Sequence, residues 1–66
     1  MQIILNGTPR QAGEGLTLAA LLAELELAGK RLAVEVNEDV IPRSQHPQYA
    51  LSEGDRVEIV HAIGGG

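Results

Sequence analysis

The stretch Thr17-Leu18-Ala19-Ala20-Leu21-Leu22-Ala23-Glu24-Leu25 decides the fold. Leu18, Leu21, Leu22 and Leu25 recur at i, i+3, i+4 and i+7, which lays one apolar stripe along one side of a helix. Ala19, Ala20 and Ala23 support that helix by propensity, and Glu24 and Glu26 keep its outer side wet. Thr17 is the expected N-cap, because its hydroxyl can accept a free N–H of the first turn. Gly29 is expected to end the helix at C′, with Lys30 and Arg31 where the helix dipole favours cations.

Upstream, the apolar run Gln2 to Leu5 is followed by Asn6-Gly7, a dipeptide suited to the positive φ angles of a type I′ hairpin turn. A two-residue turn sets Leu5 opposite Thr8 and Ile3 opposite Arg10. Arg10 then shares the face of Ile3, with its methylene stem over the core edge and its charge in water. Pro9 places this second strand at an edge, where a missing N–H costs little. Gly13-Glu14-Gly15 breaks the pattern ahead of the helix.

Downstream, Leu32, Val34 and Val36 alternate with Ala33, Glu35 and Asn37, the pattern of a half-buried strand. Asn37-Glu38-Asp39 turns the chain into a short Val40-Ile41 segment, ended by Pro42. From Arg43 to Tyr49 the chain contains Pro47 and has no period, so it reads as loop with at most one helical turn. Tyr49-Ala50-Leu51 forms at most a very short strand, and Ser52-Glu53-Gly54-Asp55 is a tight turn. Arg56 to Ile63 is the last strand, with Val57, Ile59 and His61 on one face and Glu58 and Val60 on the other.

One helix with one apolar stripe covers one face of a single sheet. The two terminal strands are expected side by side and parallel in the middle of it. The pattern predicts an α+β roll, a mixed sheet of four to five strands packed on one main helix, which is the β-grasp (ubiquitin-like) arrangement. Residues 1–61 form a single domain on this reading, and residues 62–66 a flexible glycine tail.

Composition narrows the function. At 66 residues with 44% hydrophobic content there is one small aliphatic core and no room for a buried active-site cavity. The net charge of −4, with five basic residues scattered among nine acids, argues against nucleic-acid binding and for basic partner surfaces. Tyr49 is the only aromatic residue, so base stacking is also disfavoured. The absence of cysteine removes disulfides and thiol chemistry and points to the cytoplasm. Met1 to Leu5 lacks the basic segment and length of a secretory leader. No apolar run approaches the roughly 20 residues that span a membrane.

A catalytic constellation is not found. His46, between Gln45 and Pro47, reads as a solvated loop residue, and His61 as a partly covered strand residue. Two isolated histidines without a paired carboxylate or cysteine make no metal site. Glu24 and Glu26, two apart on a helix, do not face each other as an acid–base pair. Gly13-Glu14-Gly15 lacks the Lys-Ser or Lys-Thr of a phosphate loop.

Function is thereby left to Ile63-Gly64-Gly65-Gly66. One reading of these residues is a frayed terminus or glycine linker. The other is a working end: a glycine carboxylate has no side chain, so it passes a narrow channel and is open to a nucleotide and then a nucleophile. Three glycines accept any φ and ψ the channel demands. Extended, Ala62 to Gly66 reaches roughly 16 Å into a partner.

Over its whole length the chain resembles the thiamine-biosynthesis sulfur carrier family, ThiS. The likeness rests on Met1 to Gly7, Leu16-Thr17-Leu18 with Leu21-Leu22, Val36-Asn37, and Val40-Ile41-Pro42-Arg43. Its most specific part is Glu53-Gly54-Asp55-Arg56-Val57-Glu58-Ile59-Val60 running into the glycines. Arg10 departs from the pattern, since relatives tend to be apolar there.

The resemblance implies that an E1-like adenylating enzyme activates the Gly66 carboxylate with ATP, which the partner uses and this chain does not bind. Sulfur from a cysteine-derived persulfide then gives a thiocarboxylate, and thiazole synthase accepts it. By the same analogy Gly65 and Gly66 are the working residues, and Gly64 lends reach. Candidate partner contacts are Val60, Ala62 and Ile63. For Val60 an ordinary exposed aliphatic remains an equal reading, and for the outward-facing Ile4 the preferred one. Two alternatives stay open, the small subunit of molybdopterin synthase and a ubiquitin-like conjugated tag or binding module. The first tends to be longer and richer in aromatics.

Overall fold

A computed structural model describes residues 1–61. Five strands form one mixed sheet: β1 (Gln2–Leu5), β2 (Thr8–Gln11), β3 (Leu32–Val36), β4 (Asp39–Val40) and β5 (Arg56–His61), in the order β2-β1-β5-β3-β4. The helix α1 (Leu18–Glu24) covers one face. This is the expected β-grasp architecture, and β1 and β5 lie parallel inside the sheet. The predicted tail, residues 62–66, lies outside the described residues. Among the described residues no helix is long and apolar enough to cross a membrane.

The core follows the two periods read from the sequence. Leu18, Leu21 and Leu22 from α1 meet Ile3 from β1, Val34 and Val36 from β3, and Val57 and Ile59 from β5, all buried. Ile41 and Leu51 complete it from the segments beside the sheet. A helix of seven residues is too short to persist alone, so this shared burial holds it.

Thr17 caps α1 as expected, its Oγ1 accepting the Ala20 N–H at 3.1 Å. The C-terminus differs from expectation. Leu25 is the C-cap, and Glu26, not Gly29, takes the left-handed position with φ +60°. The Glu26 N–H donates to the Ala23 carbonyl at 3.0 Å and the Leu27 N–H to the Leu22 carbonyl at 2.8 Å, a complete Schellman motif. Helical geometry explains the early stop. A continued helix would carry Leu27 about 180° round from Leu18, into solvent. Breaking at Glu26 swings Leu27 back against the core. Gly29, at φ +83°, serves the next turn, and no basic residue sits in the last helical turn.

Two other segments were only partly legible. Arg43–Gln48 is a six-residue 3-10 helix where loop with at most one turn was expected. Residues 49–51 join no sheet strand and pair with the start of α1 instead. Ala50 bridges Thr17, the Leu18 N–H donates to the Tyr49 carbonyl at 3.0 Å, and the Leu51 N–H to the Leu16 carbonyl at 2.8 Å. A free N–H of the helix is satisfied in this way.

Both hairpins turn on an asparagine. β1 and β2 pair in the predicted register, Leu5 with Thr8 and Ile3 with Arg10, round Asn6 and Gly7 at φ +48° and +82°. β3 and β4 turn round Asn37 and Glu38 at φ +51° and +74°, a turn of the same sense with no glycine. Each asparagine then reaches across to β5. The Asn6 N–H donates to the Val57 carbonyl at 2.8 Å, while its Oδ1 accepts the Ile59 N–H at 2.8 Å. On the other side the Asn37 N–H donates to the Arg56 carbonyl at 2.8 Å and its Oδ1 accepts the Arg56 N–H at 3.0 Å. Asn37 Nδ2 also donates to Asp55 Oδ1 at 3.0 Å.

Arg10 lies half-buried opposite Ile3, as its register requires, and its Nη2 reaches Glu24 on α1 at 3.4 Å. An exposed pair of this kind contributes little. Its Nε is buried without a hydrogen-bond partner among the described residues.

Glycine substitutions at three left-handed positions should therefore differ in sign. Glu26→Gly and Glu38→Gly relieve Cβ strain and are expected to stabilise by about 1 kcal/mol. Asn6→Gly keeps the backbone geometry but leaves the Ile59 N–H unpaired, and should cost about 1–3 kcal/mol. Thermal melting checks this, since 1 kcal/mol shifts the midpoint by roughly 4–8 °C in a domain of this size. Leu21→Ala, at a fully buried position, should cost about 2–5 kcal/mol in the same assay.

Candidate functional site

The element that delivers the chain towards its last residues is β5. It is hydrogen-bonded on both flanks, parallel to β1 from Arg56 and Val57, and antiparallel to β3 from Val57 to His61. Val57 and Ile59 anchor it in the core, so its position is set from below as well as from the sides. Beyond the β1 ladder, Asn6 takes over as the neighbour that satisfies the Ile59 N–H. The last described pair is His61 opposite Leu32. Ala62, Ile63, Gly64, Gly65 and Gly66, which carry most of the predicted site, lie outside the described residues.

Val60 is the one predicted site residue that is described. It points to the face away from α1, opposite Ala33, and is 52% exposed. Val40 at the edge of the same face is 66% exposed, opposite Glu35. Glu35 is also opposite Glu58, and Arg56 stands beside Ile4. This outer face therefore carries two open valines in an acidic frame. Ile4 is half-buried rather than free.

His61 is exposed, not partly covered, because its partner Leu32 lies at the very start of β3, where the sheet ends. His46 departs further from expectation. It is only 6% exposed, and its Nε2 donates to the Ile41 carbonyl at 2.9 Å. A carbonyl can only accept, so Nε2 carries a proton here. The two flanking residues made His46 look like a loop side chain. No local signal marks its burial, which follows from the 3-10 helix packing on α1. Among the described residues no three His, Cys, Asp or Glu side chains are grouped to hold a metal ion.

Comparison with known proteins agrees with this geometry. The ThiS family profile matches residues 3–66. The sulfur carrier protein ThiS of Escherichia coli K12 is 32% identical over 66 residues, covering all of both chains. The crystal structure of a thiamine biosynthesis protein (ThiS) from Geobacter metallireducens superposes with a TM-score of 0.87 at 32% identity, again covering all of both chains. A thiazole synthase of Magnetococcus marinus is 46% identical over 66 residues, and one of Paramagnetospirillum magneticum 41%. This chain spans 20% of the length of each of these two relatives. From the family match over residues 3–66 and the shared fold, the chain belongs to the ThiS family of β-grasp sulfur carriers.

Proposed function

We propose that this chain is the sulfur carrier of thiamine thiazole biosynthesis, a protein co-substrate rather than an enzyme. The observation that carries the reading is its 66-residue alignment with the Escherichia coli sulfur carrier, ending in Gly64-Gly65-Gly66. The Gly66 carboxylate attacks the α-phosphorus of ATP in a partner adenylating enzyme, and pyrophosphate leaves. The outer sulfur of a cysteine-derived persulfide then attacks the acyl carbon and AMP leaves. Reduction of the acyl disulfide by a second thiol frees the thiocarboxylate, whose sulfur passes to thiazole synthase.

The fold supports this by what it makes rigid. β5 is held on one side by β1 and then Asn6 as far as Ile59, and on the other by β3 up to His61, so the chain leaves the sheet from a fixed point. Gly64 and Gly65 supply reach and conformational freedom. This reading assigns contact with the adenylating enzyme to Val60, on the open outer face, and to Ala62 and Ile63. Glu35 and Glu58, on the same sheet face as Val60, suit a basic partner surface. The module's relationship to thiazole synthase chains of two other organisms favours the thiamine pathway over molybdenum cofactor synthesis.

Incubation with the adenylating enzyme, ATP and a sulfur donor should replace one C-terminal oxygen by sulfur, read by intact mass spectrometry. Recovery of the free acid alone would refute the carrier role. Deletion of Gly66 should leave the melting transition unchanged and abolish sulfur loading. The gene should restore growth of a thiazole-requiring strain; rescue of molybdenum cofactor synthesis alone would overturn the pathway assignment. Val60→Asp should weaken activation by about tenfold, in the range of a buried aliphatic contact, with no loss of fold.

A further inference from the structure

A second surface, unlike the outer sheet face, lies where the end of α1 meets the 3-10 helix. Leu22, Leu27, Leu32 and Pro47 wall an apolar hollow of about 190 Å³, and the buried His46 lines it. Lys30 and Arg43 stand among its lining residues, which include no acidic side chain. Arg43 Nη2 donates to the Lys30 carbonyl at 3.2 Å, which ties the 3-10 helix to the turn after α1, and both residues line the hollow. In a chain of net charge −4 this is a local reversal of sign. Arg10 pairs with Glu24, and Arg56 lies beside Glu35 and Glu58 on the other face.

The volume decides between classes of occupant. Sites for small organic ligands start at roughly 300 Å³, so the hollow is too small for one and suits a single apolar side chain. Its cations select a carboxylate beside that side chain. The position is also informative. Leu32, which lines the hollow, is the register partner of His61, so the hollow opens at the end of the sheet where β5 hands the chain on. A protein seated there is next to the place from which the carboxyl end departs.

We infer that this hollow docks the sulfur acceptor, thiazole synthase, by receiving an apolar anchor side chain flanked by an Asp or Glu. The inference rests on the carrier role proposed above. It is favoured by the two thiazole synthases whose chains include a segment 41% and 46% identical to this one. A module carried within its acceptor's chain meets that acceptor at high effective concentration. The acidic outer face and the basic hollow would then select partners of opposite charge, which lets one small carrier distinguish the enzyme that loads it from the enzyme that unloads it.

Lys30→Glu and, separately, Ala28→Glu test this, since both positions are exposed. Each full-length variant is titrated with thiazole synthase, and its sulfur loading by the adenylating enzyme is followed by intact mass. Expected are affinity for thiazole synthase lowered by about tenfold or more, loading within about twofold of the parent, and an unchanged melting transition. Raising the salt concentration should weaken the parent and narrow its advantage over Lys30→Glu. Undiminished binding of both variants to thiazole synthase would overturn the inference. So would lost loading with acceptor binding intact, which assigns the hollow to the adenylating enzyme, or a shift in self-association, which assigns it to a second copy. A parent protein that binds thiazole synthase but never acquires sulfur would instead overturn the carrier role itself.

Discussion

The clamp on β5 is the constraint on which the rest of the structure depends. Two asparagines, Asn6 and Asn37, sit at the first central position of two hairpin turns and hold the central strand from opposite sides. Asparagine suits this place for two reasons at once. It tolerates the left-handed backbone that the turn requires, and its short side chain ends in a carbonyl that accepts a strand N–H. Main-chain groups of β5 that the ladders do not reach are thus paired without additional residues. In a chain of 66 residues that economy matters, because a small core leaves little margin for unpaired polar groups.

Strain is accepted elsewhere for packing. Glu26 and Glu38 hold left-handed conformations that glycine would adopt more easily. At Glu26 the gain is visible, since the early break of α1 returns Leu27 to the core when a longer helix would have exposed it. The 3-10 helix then closes on the same corner, with His46 buried against the Ile41 carbonyl and Arg43 tied to the Lys30 carbonyl. The helix end, the turn and the 3-10 segment are one packed unit. Its basic, apolar surface is a product of that packing.

The molecule therefore has two chemically distinct faces around one rigid strand. The outer sheet face is open, acidic and marked by Val60 and Val40, and the helix side carries the apolar hollow with its two cations. On the proposed reading, both faces serve to aim a carboxyl group into the active sites of other proteins.

Periodicity alone determined the main elements. The Leu18-Leu21-Leu22 stripe, the alternation through Val34-Val36 and Val57-Ile59, and the Asn6-Gly7 turn each report a local geometry, so helix, strands, first register and β-grasp class were legible from residues near in the chain. The glycine tail and the blocks that resemble the ThiS family were likewise legible, because they are linear motifs. Tertiary structure decided what depends on residues distant in sequence. Glu26 ends α1 because Leu27 has a core to return to, and residues 49–51 pair with Thr17 because the 3-10 helix brings them there. His46 is buried because α1 lies over it, not because of its neighbours Gln45 and Pro47. The asparagine side chains find β5 across separations of 53 and 19 residues, a distance at which no local pattern carries information.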